Sequence, residues 1–360
     1  MSTTATRKMI SAYNQSAPPT LFLSGLFQSP PENFHNSQEV EIDIERDDEA
    51  ISVAITDLST GHRWNSTDDW TNKQFKPPVH KEAFALQDYD LLNREPGTTT
   101  NADVRGEAKA MLRAMKNFRR VESKIRRSIE LQASQILTTG IVTLTDENGN
   151  TVYTLSFQPK ATHFPTAGVA WDNANSTKAA DLNSLSEVIR NDGLGDPDLI
   201  IMGAGSFETC IEDSDFMARF DTRRVDLGNI RTMRRLGNGG IFRGMFEVGN
   251  YSYELWTYNG RYKHPQTGTK TLYVPNDKVI LATSGARLDA TFGACPRFVP
   301  PDSRVLRYMP GRMRNVRGRM DLWPNAWTTP DGSTLMGGVA SRPLLIPTAI
   351  DSFGCLDTNI

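Results

Sequence analysis

A stretch without proline or glycine, residues 107–139, constrains the fold of this chain more than any other sequence feature. Within it and just ahead of it, apolar residues recur in steps of three, four or seven, which keeps them on one face of a helix. These residues are Val104, Ala108, Met111, Met115, Phe118, Ile125, Ile129 and Ile136. Asn101 suits the N-cap of such a helix, and Gly140 suits a left-handed C-cap. We therefore predict a helix over 103–138, roughly 54 Å long at about 1.5 Å per residue.

The opposite face of the predicted helix is strongly basic, with nine cationic and four acidic residues. The cationic residues are Arg105, Lys109, Arg113, Lys116, Arg119, Arg120, Lys124, Arg126 and Arg127, and the acidic ones are Asp103, Glu107, Glu122 and Glu130. A solvated basic face is the simpler interpretation. The alternative is a helix that carries a sheet on one side and faces a neighbouring protein or nucleic acid on the other.

Charge is segregated along the chain, although the formal net charge is only −2. Residues 39–49 hold seven acidic residues and one arginine, Arg46. Residues 301–320 hold six arginines and one acidic residue, Asp302. Opposite patches on one chain fit association between copies, and pairing within one chain is equally allowed.

The cysteines and the N-terminal segment indicate a cytoplasmic product. Three cysteines, Cys210, Cys295 and Cys355, stand far apart, and an odd number argues against a disulfide framework. Residues 1–19 hold no apolar core of the secretory type, and no apolar run approaches membrane-spanning length. We expect a soluble protein that is made in a cytoplasm and has no membrane partner.

Ahead of the predicted helix lie an arm and a long, partly extended excursion. Residues 1–35 are rich in Ser, Thr, Asn and Pro, and one apolar cluster of five residues between 21 and 27 should dock on a partner or on the protein's own core. Alternation predicts strands at 40–44 and 50–55, and a strand-like return at 79–93. Loops as long as the excursion over 39–96 are uncommon in a compact domain, so we expect this one to have a function.

After Gly140 the pattern changes to strands and short helices. Asn148-Gly149 between two β-branched runs predicts a hairpin over 141–157. Helices at 178–190, 206–211 and 215–221 around a buried strand at 198–202 predict a separate α/β module. Further strands are predicted at 251–258, 271–274, 278–282 and 343–347.

No catalytic constellation stands out in the sequence. None of the five histidines has the spacing of a local metal clamp, and neither a Walker A nor a G-x-S-x-G sequence occurs. The segment 203–206 resembles a dinucleotide loop, but Glu208 stands where the fingerprint requires a third glycine. A hydrolase site near Ser206, Glu208 and His264 stays open as an alternative without a substrate. We expect no enzyme activity, no metal and no cofactor.

The arginine-rich segment 304–319 is the best candidate for contact with nucleic acid. Tyr308 is the one aromatic residue in it, so the segment lacks interleaved stacking residues and matches no known reading module. Non-specific contact with phosphates is one interpretation, and pairing with an acidic surface of a neighbouring copy is the other.

The order of these parts says more than any single motif. The stretches concerned are TLFL at 20–23, VEID at 40–43, FKPP at 75–78, REPG at 94–97, DLIIMG at 198–203, FDTRR at 220–224, FRG at 242–244 and LAT at 281–283. As a collinear set they resemble the major capsid proteins of tailed bacteriophages with the Hong Kong 97-like fold, most closely the lambda-type major capsid protein E family. The resemblance covers about residues 20–350, and it is weakest over 298–327.

The resemblance implies an α+β fold of the Hong Kong 97-like type, with an N-terminal arm, an extended loop, a long spine helix, and peripheral and axial domains. The implied divisions are the arm at 1–38, the extended loop at 39–96, the peripheral domain at 97–180 (spine helix 101–140, hairpin 141–157), the axial domain at 181–308 and a C-terminal return to the peripheral domain at 309–360. It also implies that each subunit leaves its arm and its extended loop for neighbours to bury.

The function implied by the resemblance is a major capsid protein that self-assembles into the hexamers and pentamers of an icosahedral phage head around double-stranded DNA. Its partners would be itself, a scaffold, a portal, a decoration protein and, through non-specific contact, the packaged DNA. It would be made in the host cytoplasm and end in the virion. An encapsulin-like nanocompartment shell, and a non-specific DNA-binding protein that uses 304–319, stay open as alternatives.

Ten residues are candidates for contact with another subunit or with DNA. They combine the basic face of the predicted helix, the arginine-rich segment and two tryptophans of the excursion. These residues are Arg113, Lys116, Arg120, Arg127, Arg304, Arg307, Arg312, Arg314, Trp64 and Trp70.

Overall fold

The computed structural model describes the chain at residues 21–35, 40–45, 70–75, 77, 79–87, 106–146, 149–193, 195–218, 220–221, 239–294, 321–329 and 334–360. For 40–45, 70–75, 106–111, 220–221 and 328 the description covers the backbone alone. The α-helices of these residues are α1 (Gly106–Thr139), α2 (Lys178–Gly193), α3 (Ala204–Glu212) and α4 (Ser214–Ala218). Short 3-10 turns lie at Ser24–Leu26, Pro31–Asn33, Ala161–His163 and Ile350–Ser352.

The strands of the described residues are short and numerous. They are β1 (Val40–Glu45), β2 (Trp70–Phe75), β3 (His80–Gln87), β4 (Ile141–Thr145), β5 (Thr151–Ser156), β6 (Leu199–Met202), β7 (Phe220–Asp221), β8 (Gly240–Val248), β9 (Tyr251–Tyr258), β10 (Arg261–Lys263), β11 (Lys270–Leu272), β12 (Lys278–Ala282), β13 (Leu288–Phe292), β14 (Trp323–Thr328), β15 (Thr334–Ser341), β16 (Pro343–Pro347) and β17 (Phe353–Asp357). Helices and antiparallel pairs occur along the whole described chain, which agrees with the predicted α+β class.

A six-stranded sheet in the order β17-β12-β6-β9-β8-β7 is the largest sheet of the described residues. β6 and β9 run parallel, and the other neighbouring strands run antiparallel. Alternate residues of β6 enter two different cores: Ile200 packs with the apolar face of α2, and Ile201 packs in the core that contains α1. Because both faces of this strand are covered, its sequence is a continuous apolar run.

The prediction of a separate α/β module is wrong. β6 comes from that segment, and it lies between β12 and β9 inside the larger sheet. β17, from the segment 309–360, pairs with β12 in the same sheet. The sheet therefore joins strands that are distant in the sequence, so the module has no sheet of its own.

The long helix is confirmed as α1, which has 34 residues. The predicted stripe is buried at Phe118, Ile125, Ile129 and Ile136. The proposed N-cap, Asn101, lies outside the described residues. Gly140 ends the helix as predicted, with φ of +68° and its N–H donated to the carbonyl oxygen of Ile136.

A three-stranded antiparallel sheet, β14-β15-β3, packs against α1. The ring of Phe84 on β3 meets the ring of Phe118 on α1 edge to face, with centroids 4.9 Å apart. Opposite Phe84 in register stands Gly337 on β15, where a Cβ atom would lie 2.4 Å from the Phe84 ring. A glycine at this position lets the aromatic pair fill the space between sheet and helix.

The hairpin predicted over 141–157 is confirmed as β4 and β5. Gly149 has a φ of +83°, the conformation that the Asn-Gly pattern predicts, and Asn148 lies outside the described residues. Asp146 accepts hydrogen bonds from the backbone N–H and the side-chain amide of Asn150, which fixes the turn.

The excursion contains an antiparallel ribbon of β1 and β2. The pairing runs from Val40 opposite Phe75 to Glu45 opposite Trp70. Among the described strands, these two pair with each other and with no third strand. The strand predicted at 50–55 lies outside the described residues, and β3 provides the described part of the predicted return.

The apolar part of the arm packs on the protein's own core. Phe22, Leu23 and Phe27 are buried in the cluster that contains α1. Gln28 then exchanges backbone hydrogen bonds with β13, and the ring of Phe34 stacks on Phe292 at 5.2 Å. The expectation that neighbours bury the arm is therefore wrong for residues 21–35.

None of the helices in the described residues is long and apolar enough to cross a membrane.

Candidate functional site

The basic face predicted for the long helix lies on the surface of α1. Lys116, Arg120 and Arg127 are exposed, and Arg113 is half-buried. Lys124 shares this face and pairs with Glu82 of β3 at 2.9 Å. We call Lys116, Arg120, Lys124 and Arg127 the basic stripe. Within the described part of the chain, Lys116, Arg120 and Arg127 have no ion pair, so most of the charge of the stripe is uncompensated.

Two acidic residues that the sequence pattern placed on this face are buried instead. Glu122 is 3% exposed and Glu130 is fully buried. Arg126 is mostly buried as well, where it lies 3.9 Å from Glu122 and pairs with Asp321 next to β14. The polar face of α1 is thus split into an exposed basic stripe and a buried set of charges that fastens the helix to the rest of the subunit.

Glu130 forms the socket for the arm. Its carboxylate accepts the backbone N–H groups of Leu23 and Ser24, both at 2.8 Å, and the hydroxyl of Tyr258 at 2.7 Å. These donors come from the arm and from β9. A single buried carboxylate therefore joins three segments that lie more than a hundred residues apart, which gives it the partners that burial of a charge requires.

Aromatic packing surrounds this socket. The ring of Phe22 lies 5.4 Å from the rings of Trp256 and Tyr258, and a Cβ atom at Gly240 would lie 2.6 Å from it. Burial, together with the negative charge of Glu130 and the hydrogen bond to it, raises the pKa of Tyr258 far above its ordinary value. Tyr258 therefore keeps its proton and donates it to Glu130.

The sheet β14-β15-β3 leaves its outer face without a covering layer in the described chain. Ala83 and Ala85 of β3 are exposed on the side opposite Phe84, and Trp327 of β14 is 41% exposed. In register, Trp327 stands opposite Met336, which stands opposite Ala85. The centre of this face is apolar and made mostly of small side chains, with Lys81 and Gln87 at the two ends of β3. An apolar centre with a polar rim is typical of a surface that another protein covers.

The remaining predicted contact residues are not gathered into a described site. Arg304, Arg307, Arg312, Arg314 and Trp64 lie outside the described residues. Trp70 begins β2, directly opposite Glu45 of β1. The structure thus brings Arg113, Lys116, Arg120 and Arg127 to one helix face, and it does not test the arginine-rich segment.

The region around Ser206 is structural. A Cβ atom at Gly203 would lie 2.1 Å from the carbonyl oxygen of Pro275, so the turn before α3 needs a glycine for close backbone packing. The hydroxyl of Ser206 donates to the carbonyl oxygen of Asn276 at 2.8 Å and lies 3.0 Å from the Thr358 hydroxyl. Its buried hydrogen bonds explain Ser206 without any role in hydrolysis.

The described cysteines are free and buried. Burial raises the pKa of both Cys210 and Cys355 to about 12, so neither thiol is poised for reaction near neutral pH. Cys295 lies outside the described residues. Within the described ranges, no three His, Cys, Asp or Glu residues are grouped in a way that would hold a metal ion.

Comparison with known proteins shows which family this chain belongs to. Residues 5–353 match the family model described as phage major capsid protein E. The chain belongs to this family. The match spans nearly the whole sequence, so it includes the helix, the sheets and the excursion, and it favours a phage capsid over a nanocompartment shell. Members of the phage major capsid family are structural proteins that self-assemble into an icosahedral shell, which places this chain in the virion.

Solved structures show the same fold. A prophage capsid protein of E. coli CFT073 matches with a TM-score of 0.66 at 16% identity, over 98% of each chain. A phage-related protein from Bordetella bronchiseptica RB50 matches with a TM-score of 0.50 at 11% identity, over 98% of this chain and 96% of that one. The predicted Hong Kong 97-like capsid fold is confirmed. No curated protein sequence matches this chain.

Proposed function

We propose that this capsid protein builds the head of a tailed phage from hexamers and pentamers that enclose double-stranded DNA. The observation that carries the proposal is the family match over residues 5–353. The surfaces of the subunit support it, because no third described strand pairs with the ribbon β1–β2, and the basic stripe and the outer face of β14-β15-β3 are exposed, so all three can accept partners. A shell of identical copies supplies such partners by symmetry.

Within the shell, we assign the parts of the chain to the divisions that the resemblance implies. Residues 1–38 form the arm, 39–96 the extended loop, 97–180 the peripheral domain, 181–308 the axial domain and 309–360 the return. The ribbon β1–β2 lies in the extended loop, which covers an adjacent subunit. The arm differs from the extended loop, because residues 21–35 pack on their own subunit and do not cover a neighbour.

The same proposal covers partners and chemistry. The protein performs no catalysis, and it is made in the host cytoplasm before it enters the virion. A scaffold, a portal and a decoration protein contact the shell, and the packaged DNA contacts it through phosphates. The arginine-rich segment 304–319 is the assigned site of the DNA contact, because cationic side chains bind phosphates without reading the base sequence.

Electron microscopy of the expressed protein tests the proposed assembly. We expect closed shells with six-fold and five-fold capsomers when the chain is produced alone or with the scaffold of its phage. Protein that unfolds cooperatively, and is therefore folded, yet stays monomeric under every such condition would contradict the proposal. Particles that carry a packaged enzyme and no DNA after infection would instead assign the chain to a nanocompartment.

The DNA contact is tested separately by the salt dependence of binding. Neutralising Arg304, Arg307, Arg312 and Arg314 with glutamine should weaken binding of a DNA duplex and flatten the dependence of log K on log salt. Equal slopes for the original protein and this variant would show that the segment does not contact phosphates. The matched control replaces Arg261, Lys263 and Lys270 of the exposed ribbon β10–β11 with glutamine.

A further inference from the structure

The ribbon β10–β11 has one face on the subunit and one face in solvent. Tyr262 lies on the inner face, where its ring centroid is 5.1 Å from that of Tyr273 and it packs against the core that contains α1. At the tip of the ribbon, the side-chain amide of Gln266 occupies the space that a Cβ atom at Gly149 would take, so the tip contacts the turn of the hairpin β4–β5. The subunit therefore holds the ribbon in place at both ends.

Three cations share the outer face of this ribbon. Arg261, Lys263 and Lys270 are exposed, and Lys263 stands directly opposite Lys270 in the register. Within the described part of the chain, none of the three has an acidic partner. Like charges directly opposite each other destabilise an antiparallel pair. An anionic partner from outside these residues would therefore stabilise the ribbon.

The hydrogen-bond ladder brings the two lysines close together. The N–H of His264 donates to the carbonyl oxygen of Thr269 at 2.9 Å. Bonded and non-bonded pairs alternate along an antiparallel ladder, so the preceding pair, Lys263 with Lys270, is a non-bonded one. The Cα atoms of such a pair are only about 4.5 Å apart, and their side chains are the closest in the ladder.

The same alternation turns backbone groups of β10 outward. In a non-bonded pair the N–H and C=O groups point away from the partner strand, which places those of Arg261 and Lys263 at the outer edge of β10. No third described strand pairs with this edge. β10 carries two cations at alternate positions, about 6.8 Å apart, whereas β11 carries one at such a position, Lys270. The edge of β10 thus combines a row of charge with a row of available backbone groups.

We propose that the edge of β10 binds an extended acidic segment of a separate protein, which adds a strand to the ribbon and places acidic side chains opposite Arg261 and Lys263. Such a strand binds through its backbone and takes its specificity from alternate side chains. Two residues of the added strand advance as far as two residues of β10, so each acidic residue meets a cation. The contact belongs to the folded subunit, and it does not depend on the proposed shell.

Two other occupants fit this edge less well. A second copy that paired through its own β10 would set cations against cations, which is how natural edge strands prevent self-association. DNA would neutralise the cations, but phosphate oxygens only accept hydrogen bonds, so the outward carbonyl groups would gain no donor. An extended peptide offers both N–H and C=O groups and satisfies the whole edge.

Peptide binding to the unassembled full-length chain tests the proposal by fluorescence anisotropy. The probe is a labelled peptide in which glutamate and threonine alternate, and the comparison peptide has the same composition with its glutamates adjacent. The alternating peptide should bind at least about fivefold more tightly, because both of its charge pairs are in register. Its affinity should fall as salt rises.

A third peptide tests the backbone contact without any change to the protein. Methylation of the glutamate nitrogens of the alternating peptide keeps its charge and removes the N–H groups that face Arg261 and Lys263. We expect this peptide to lose at least about fivefold in affinity, since two backbone hydrogen bonds cannot form. Undiminished binding would show that the contact is not an added strand.

Matched variants of the protein locate the site. Arg261→Gln with Lys263→Gln should weaken binding of the alternating peptide at least about fivefold. The control, Lys116→Gln with Arg120→Gln on the basic stripe, changes the charge by the same amount and should bind like the original protein. All four side chains are exposed, so circular dichroism and thermal unfolding should match the original protein in both variants.

The outcomes separate this contact from the proposed function. Equal affinity for the alternating and the adjacent-glutamate peptide, or unchanged binding by the ribbon variant, overturns the inference. A DNA duplex that binds the original protein more tightly than the peptide does, and loses this affinity in the ribbon variant, assigns the edge to nucleic acid and overturns it as well. Loss of shells in the ribbon variant assigns the edge to contact between copies. Absence of shells from the original protein contradicts the proposed function and does not alter the peptide result.

Discussion

Glu130 shows how much of this fold depends on one buried side chain. Its carboxylate accepts two backbone N–H groups of the arm and the hydroxyl of Tyr258. We expect Glu130→Ala to lower the free energy of unfolding by about 3 kcal/mol, because it leaves three buried donors without an acceptor. Urea unfolding measures the loss, and hydrogen exchange at the amides of Leu23 and Ser24 should become faster.

Two further variants make this prediction specific. Tyr258→Phe removes one donor and keeps the two arm contacts, so the amides of Leu23 and Ser24 should stay protected. Glu82→Ala removes an exposed ion pair with Lys124 and should cost less than about 1 kcal/mol. If Glu130→Ala leaves the exchange of the arm amides unchanged, the carboxylate does not hold the arm.

The sequence pattern placed Glu130 on the wrong side of its helix for a physical reason. A periodicity analysis treats every carboxylate as solvated, and it cannot see donors that arrive from residues 23, 24 and 258. One local signal was available. Glu130 precedes the buried residues Ala133 and Leu137 by three and seven positions, which puts all three on one side of the helix.

At the scale of single elements, the end of α1 offers a clean test of backbone conformation. Gly140 has a φ of +68°, and a Cβ atom there would lie 2.7 Å from the ring of Pro159. Gly140→Ala should lower the free energy of unfolding by at least about 2 kcal/mol, from left-handed strain plus this clash. Urea unfolding monitored by circular dichroism gives the value.

Gly168 provides the matched control for this substitution. Its φ lies outside the left-handed range, and no atom lies within 4 Å of a Cβ built there. Gly168→Ala should therefore stay within about 0.5 kcal/mol of the original protein. Similar losses for the two alanine variants would mean that the conformation of Gly140 is not what ends the helix.

Elements with local causes were predictable, and elements with distant partners were not. The helix α1, the hairpin β4–β5 and the strand β6 follow from periodicity and turn residues within a few positions. The sheet β14-β15-β3 pairs residues 80–87 with 334–341, and its middle strand contains Gly337-Gly338, which a propensity argument counts against a strand. The face with Trp327 could not be assigned because it depends on that pairing.

At the scale of the whole molecule, the six-stranded sheet separates two apolar cores. One core contains α1, the arm and the sheet β14-β15-β3, and the other contains α2 and α3. Because β6 and β12 send alternate residues into both cores, the two sides of the subunit are mechanically joined. The capsid role of the family fits this arrangement, since a force that a neighbour applies at one edge of a shell subunit must be carried to the other edges.

Ion pairs around this sheet make the subunit sensitive to acid. Asp192 pairs with Lys160 and lies 3.0 Å from His163, Asp213 pairs with Lys178, and Asp357 pairs with Lys278. Burial alone would raise the pKa of these carboxyl groups. The hydrogen bonds and charges of their partners outweigh burial, so each pKa lies below its ordinary value of 3.8.

The sign of the pH dependence follows from this shift. Since the folded pKa is depressed, the unfolded chain binds protons first as pH falls, and each pair contributes stability that is fully present above pH 5 and is lost below about pH 4. The urea midpoint should therefore fall steeply between pH 5 and pH 3.

Lys278→Met should lower the midpoint at pH 7 and make this fall shallower, because Asp357 then titrates closer to its ordinary value. Lys81→Met, on the exposed face of β3, should change neither quantity. An equal acid slope in the original protein and both variants would show that the pair of Lys278 with Asp357 does not stabilise the sheet.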